Sequence, residues 1–299
     1  MPIVLADHRY GKAENRVVRF RRDTARHEVV DLNVTTTLRG DFADAYLHGD
    51  QSKVLPTDSQ KNTAFAYAAA DGATTVEGYA LALARHFVDD VAPVSAARVD
   101  VEAYPWTRAR VGGVEHDHTW VRSGAEVRTA AAVVSDEGGA RVVHLLAGLE
   151  DLTLLKSTGS QFRGFLVDEY TTLPETDDRV LATSLEATWR YAPAAVAAGF
   201  DVDAAHAAVR EALVEQFATL HSLALQQTLW HMGRCALERV PEAVEIRLTA
   251  PNKHHVGYDV ARFGVPDRGE VFHADDRPYG LIRAVVADDE FPAAPEAWA

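Results

Sequence analysis

The sequence holds a single cysteine, Cys235, among 299 residues. One thiol forms no intrachain disulfide, and it excludes the thiolate clusters that hold zinc or iron–sulfur centres. Set in a helical pattern, Cys235 reads as a small apolar packing residue. No window approaches the roughly 18 uninterrupted apolar residues of a membrane span. Positive charge is short as well. Thirty Lys and Arg stand against 44 Asp and Glu, a formal net charge of −14, which argues against a nucleic-acid or anionic-membrane surface. No Gly-x-Gly-x-x-Gly or Walker-type loop is present to cradle nucleotide phosphates. The opening "MPIVLADHRYGK" has no basic stretch ahead of an apolar one, and "PEAWA" is not a Ser-Lys-Leu ending, so a cytoplasmic protein is expected.

What remains is ordinary globular material, 47% hydrophobic and 25% charged, enough for one large or two medium domains. Strand-like runs cover Arg16–Arg22 and Glu28–Leu38. The stretch "PTDSQKNTAFAYAAAD" starts a helix, and Thr57 with Gln60 fits a capping box. Val76, Tyr79, Leu83 and Phe87 stripe a second helix. Strand-like runs follow in "AARVDVEAYPW", "HDHTWVRS", "EVRTAAAVV" and "RVVHLLAGLEDLTLL", with a turn at "SDEGGA". The second half repeats the order: the strand "SLEATWRY", a helix from about Asp203 striped by Val209, Leu213, Phe217 and Leu220, a second helix over about Ala224–Glu238, then the strand "AVEIRLTAP". Pro93 and Pro241 take equivalent places, as do Pro105 and Pro251. Strands flanking a helix pair, twice over, predict an α+β architecture with an antiparallel sheet and helices on one face. The halves are set at residues 1–140 and 141–299. The acidic, Pro/Ala-rich end from about residue 288 is expected to be a loose tail.

Several constellations bear chemistry. His116 and His118 share one strand face and suit a metal, but the sequence offers no third ligand, so a polar strand face is favoured. The helix starts at Thr57-Asp58 and at Leu225-Gln226 each expose unpaired N–H groups at a positive dipole end, one per half, and so can cradle a flat anion from opposite edges. Phe162 offers a stacking face and Arg179 a fork-shaped cation. The strand end "TAPNKHHVGY" gathers Asn252, Lys253, His254 and His255, which fit a solvated loop, a metal site or a proton-handling pocket edge.

Four blocks, "YGKAENRVV", "VLPTDSQKNT", "LKSTGSQFRGFLVDEYTTLPETDDR" and "APNKH", with "PYGLI" as a weaker fifth, give the chain a close resemblance to urate oxidase (uricase) from Tyr10 to Ile282. The family's fold is the tunnelling fold. The resemblance implies two tandem halves of that fold, with two chains closing a barrel and two barrels stacking as a homotetramer around a tunnel. It further implies oxidation of urate by O2 and water, with neither metal nor other cofactor. Lys12, Thr57 and His254 match the family's relay. Thr57, Asp58, Phe162, Arg179, Leu225, Gln226 and Asn252 match its substrate contacts, and Leu173 an apolar wall residue. Catalytic sites at subunit interfaces are implied, Lys12 and Thr57 of one chain facing Arg179, Gln226 and His254 of another. Lys253 and His255 match no catalytic role, Arg163 has no assigned place, and one extra residue follows Lys12. The chemistry agrees. A guanidinium makes two parallel charge-assisted bonds to one edge of a planar anion, about 1.5–3 kcal/mol each. A lysine base needs desolvation or a nearby cation, whereas an imidazole works near neutral pH unaided. Three rival readings remain: a pterin-handling enzyme of this fold, a catalytically silent purine-binding protein, and a metal hydrolase built on His116 and His118.

Overall fold

The computed structural model of the chain describes residues 1–70 and 75–299. In chain order its elements are β1 (Tyr10–Arg21), β2 (Glu28–Gly40), α1 (Ala43–His48), α2 (Thr57–Ala69), α3 (Val76–Asp90), β3 (Val94–Ala103), β4 (Trp106–Val111), β5 (Val114–Arg122), β6 (Val127–Ser135), β7 (Val142–Lys156), β8 (Leu181–Tyr191), α4 (Pro193–Ala198), α5 (Val202–Thr219), α6 (Leu225–Arg239), β9 (Ala243–Gly257) and β10 (Phe272–Ala287). The chain divides into two compact units. The first comprises Met1–Gly148, Trp189–Asp203 and Phe291–Ala299, the second Leu149–Thr188 and Ala204–Glu290.

In the first unit the strands run in the order β1-β2-β3-β6-β7, and the pairs β1–β2, β2–β3 and β3–β6 are antiparallel. From Leu32 to Leu38 the alternation along β2 is strict. Leu32, Val34, Thr36 and Leu38 are buried on the face that meets α2, because strand side chains repeat every second residue. Helix α3 packs on β3 and β6 through Tyr79, Leu83 and Phe87, all fully buried, as the helical spacing predicted. Thr75 caps α3, its side chain accepting the Gly78 N–H at 3.0 Å. Most of the "HDHTWVRS" run lies in β5, which pairs with β4 in a separate two-stranded sheet.

The second unit carries the strand order β7-β8-β9-β10, with β9 and β10 antiparallel and α6 against both. Gly233 makes that approach possible. A Cβ there would lie 2.6 Å from Val286 Cγ2, closer than side-chain packing allows.

Three expectations change. β1 begins at Tyr10 rather than Arg16, so Lys12 lies within the strand. The capping box does not form: α2 has Pro56 at its N-cap and no side-chain cap bond, because the Gln60 side chain turns inward to Thr36 instead. The final residues are not loose. Ala294 and Ala297 are buried with Ala131 and Leu146, and Arg98 donates to the Ala297 carbonyl at 3.0 Å. Alanines look weakly apolar in sequence, yet they fit closely against a sheet face that is itself small at Ala131.

Candidate active site

The first unit seats Lys12 at an irregularity. Lys12 pairs with Thr36 and Asn15 with Val34, so Ala13 and Glu14 stand opposite Thr35 alone. This is a β-bulge, and Glu14 carries its positive φ of 56°. One inserted residue would turn every later side chain to the wrong face. The bulge restores phase, so that Tyr10 and Lys12 are half-buried before it while Asn15 and Val17 are buried after it. Asn15 closes the bulge by donating from Nδ2 to the Val34 carbonyl at 3.0 Å. Gly11 lies hard against β2, where a Cβ would sit 1.7 Å from the Thr36 carbonyl oxygen. No side chain fits there, which explains the glycine of "YGK".

Thr57 and Asp58 open α2 and are exposed. The first helical bond is Gln60 N–H to the Pro56 carbonyl at 3.1 Å, so the N–H groups before it have no partner within the helix. The Lys61 ammonium, by hydrogen bond and by charge, holds the Asp58 carboxyl below its usual range, and Asn62 and Lys12 act in the same direction. Lys12 therefore lies within electrostatic reach of the start of α2. Among the described residues its ammonium makes no hydrogen bond or ion pair.

In the second unit the chain between β7 and β8 is irregular, and hydrogen bonds rather than a sheet give it shape. Phe162 N–H donates to Thr176 O at 2.9 Å and Thr176 N–H returns to Phe162 O at 3.0 Å. Arg179 N–H donates to Ser160 O at 2.7 Å. Gln161 N–H to Ser222 O, 2.8 Å, and Ser222 N–H to Gly159 O, 2.9 Å, join this loop to the segment leading into α6. Asp178 ties the corner, accepting Thr158 Oγ1 at 2.6 Å and Gly159 N–H at 2.9 Å. The Thr158 hydroxyl, chiefly, holds its carboxyl below the ordinary range.

These bonds bring Phe162 and Arg179 together, the Arg179 guanidinium carbon 5.0 Å from the ring centroid. Phe165 stacks on Phe162 at 4.9 Å. Arg179 Nε is buried and has no hydrogen-bond partner, and no carboxylate pairs with the guanidinium among the described residues. Burial alone pushes its pKa below the ordinary value. Leu225, 2% exposed, opens α6 without a side-chain cap. The first helical bond there is Thr228 N–H to Ala224 O at 3.1 Å, so the Leu225 N–H is unpaired within the helix. Gln226 beside it is exposed.

On β9 the buried Ile246, Leu248 and Ala250 set a phase that puts Asn252 and His254 on the same face. Lys253 and His255 take the other. Lys253 Nζ donates to Ser184 Oγ at 2.5 Å, and Ser184 Oγ lies 2.7 Å from Thr153 Oγ1. Arg163, unplaced by sequence, pairs with Asp177 and, at 3.8 Å, with Glu175. Leu173 is 58% exposed. His116 and His118 lie edge to face at 4.5 Å, and no group of three or more His, Cys, Asp or Glu is arranged to hold a metal ion among the described residues. Sequence reading missed Thr36 and Asp178, and it gave Gln60 the wrong task. The doubled acid in "DDR" was the one signal for Asp178.

The first unit thus places Lys12 within electrostatic reach of Asp58, which with Thr57 opens α2. The second brings Phe162 and Arg179 together, sets Leu225 and Gln226 at the start of α6, and carries Asn252 and His254 on β9. Comparison with known proteins agrees with the sequence resemblance. The uricase family model matches residues 8–133 and 145–283, one segment in each half. The chain is 48% identical over 284 residues to the uricase of Arthrobacter globiformis, covering 95% of this chain and 90% of that one. It is 35% identical to the uricase of Danio rerio, covering 93% and 92%. The crystal structure of the Arthrobacter globiformis uricase superposes with a TM-score of 0.92 at 46% identity, covering 100% of this chain and 99% of that one. A uricase from Bacillus fastidious superposes with a TM-score of 0.82 at 27% identity, covering 96% and 95%.

Proposed function

The chain belongs to the uricase family, and from that premise we propose that it oxidises urate with O2 and water to 5-hydroxyisourate and hydrogen peroxide, using neither metal nor flavin. The stoichiometry closes: urate loses two electrons to O2, and water supplies the added oxygen. The observation that carries the reading is Arg179, a half-buried cation over an aromatic ring whose buried Nε has no acceptor among the described residues. Such a group recognises a flat anion that brings its own acceptors.

In this reading Arg179 and Gln226 clamp one edge of the purine, Phe162 stacks on its face, and the Leu225 N–H adds a donor at the positive end of α6. Leu173 supplies part of the apolar wall. Thr57, with Asp58 behind it, meets the opposite edge. Lys12, Thr57 and His254 relay the protons, and the Asn252 amide holds O2 or water over the ring. Residues 1–140 and 141–299 act as tandem tunnelling-fold halves. Two chains close a barrel and two barrels stack, so that Lys12 and Thr57 of one chain face Arg179, Gln226 and His254 of another. The working enzyme is a cytoplasmic homotetramer whose partners are urate, O2 and its own copies, with no role for nucleic acid or membrane. Among the described residues no helix is long and apolar enough to cross a membrane.

The test is aerobic urate with a chelator present, following ultraviolet loss and peroxide release, with sedimentation on the same sample. Stoichiometric peroxide from a tetramer is expected. Lys12→Met and Thr57→Ala should each cut kcat by about 10²–10⁴ while inhibition by xanthine persists, as for lost general acid–base catalysis. Urate that survives contact with the folded parent protein, or a fully active monomer, overturns the reading.

A further inference from the structure

Beneath Lys12 sit two buried polar side chains that touch no substrate in the reading above. Thr36 on β2 and Gln60 on α2 are 1% and 0% exposed. The Thr36 hydroxyl donates to Gln60 Oε1 at 2.7 Å, and Gln60 Nε2 reaches back to the Leu55 carbonyl at 3.4 Å. On its other side Thr36 Oγ1 accepts the Lys12 N–H at 3.3 Å. A single hydroxyl therefore links the main chain of Lys12 to the helix that begins at Thr57.

Two features make this link matter. Lys12 stands at the edge of a bulge, where the regular ladder that would fix it is interrupted. Buried polar groups also cost stability unless paired, so a space that needed only filling is better served by two apolar side chains. What the polar pair adds is direction, since a hydrogen bond fixes the spacing of the atoms it joins more tightly than apolar contact does.

We infer that Thr36 and Gln60 are positioning residues for urate oxidation. They hold the Lys12 main chain against the start of α2, so that the Lys12 ammonium and the Thr57 hydroxyl stay within one relay. The inference rests on the reading of Lys12 and Thr57 given above.

The experiment compares Thr36→Val, Thr36→Ser, Gln60→Met and Lys12→Met as assembled enzymes, measuring thermal melts, kcat, KM, the kcat–pH profile and xanthine inhibition. Thr36→Val should lower kcat about tenfold or more and displace the kcat–pH profile, with KM and xanthine inhibition within about twofold of the parent, as expected for a misplaced reacting group. Thr36→Ser, which keeps the hydroxyl, should restore both. A Thr36→Val enzyme that melts cooperatively and keeps the parent kcat and profile overturns the inference. Should Thr36→Val fail to fold, Gln60→Met is judged by the same two readouts. If Lys12→Met keeps parent turnover, the relay reading itself is wrong and the inference goes with it. If Lys12→Met loses turnover while the other variants do not, the inference alone is wrong.

Discussion

Two arginines, one in each unit, are taken out of water and used differently. In the first unit Arg128 reaches from β6 to Glu77 on α3, with Nε at 3.2 Å and Nη2 at 2.6 Å from the two carboxylate oxygens. Its Nη1 lies 2.7 Å from Asp203. Glu77 is fully buried. Burial pulls the Arg128 pKa down, and the two carboxylates more than restore it. In the second unit Arg179 feels burial alone, and nothing restores it. A desolvated cation without a counter-charge lowers stability. The pairing of Arg128 therefore serves the fold, and the missing partner of Arg179 is what the proposed urate-binding role requires.

Substitution separates the two roles. The largest effect on activity should follow Arg179→Ala. Two charge-assisted bonds of about 1.5–3 kcal/mol each predict a fall in kcat/KM of about 10²–10⁴, with thermal stability unchanged or raised. Arg179→Lys should recover little, because an ammonium lacks the planar fork. A lower melting temperature in Arg179→Ala would break the contrast with Arg128.

Arg128→Met should show the opposite pattern, a loss of about 3–5 kcal/mol in denaturant unfolding with kcat per folded enzyme retained. Glu77 sharpens the test. Burial, joined by the Asp203 charge, raises its pKa against the pull of Arg128, so losing Arg128 raises it further. An acid whose folded pKa lies above its unfolded value loses stability as pH rises past the unfolded value, near about 4.3. Glu77 is already raised in the parent, so the stability gap between parent and Arg128→Met should widen at pH above that value, between the raised folded pKa of the parent and the still higher one of the variant. A gap independent of pH would mean that Glu77 is not the group left behind.

The smallest effect belongs to Asp178→Asn, which loosens the corner that carries Arg179. The Asp178 pKa is lowered in the fold, so its contribution is present above the ordinary aspartate value near about 3.9 and is lost as pH falls through the lower folded value. The difference in melting temperature between parent and Asp178→Asn should be modest at neutral pH and close below about pH 4. A difference that persists in acid would assign the effect to shape rather than charge.

Much of the fold was legible because periodic burial leaves periodic residues. The stripe Val76, Tyr79, Leu83 and Phe87 predicted α3, and Leu225 with Gln226 proved to open α6 within one residue of the expected start. The site residues were proposed through resemblance. Composition and spacing alone left Arg179 an exposed or core cation and Thr57 a helix cap. Local reading failed where two distant segments meet. Thr57 and Gln60 satisfy the capping pattern three residues apart, but the buried Thr36 hydroxyl, 24 residues before Gln60, takes the amide instead. The Pro/Ala-rich end failed for the same reason, its burial depending on Ala131 and Leu146 far back in the chain.

By itself the sequence determined the α+β class, the order of elements and the family, because hydrophobic period and motif spacing are properties of neighbouring residues. Only the tertiary structure decided that the bulge after Lys12 keeps that strand in phase, that Gln60 faces Thr36, and that half-buried Arg179 has no carboxylate among the described residues while Arg128 has two. Those outcomes depend on which groups reach one another once water is removed, and chain order does not encode that distance.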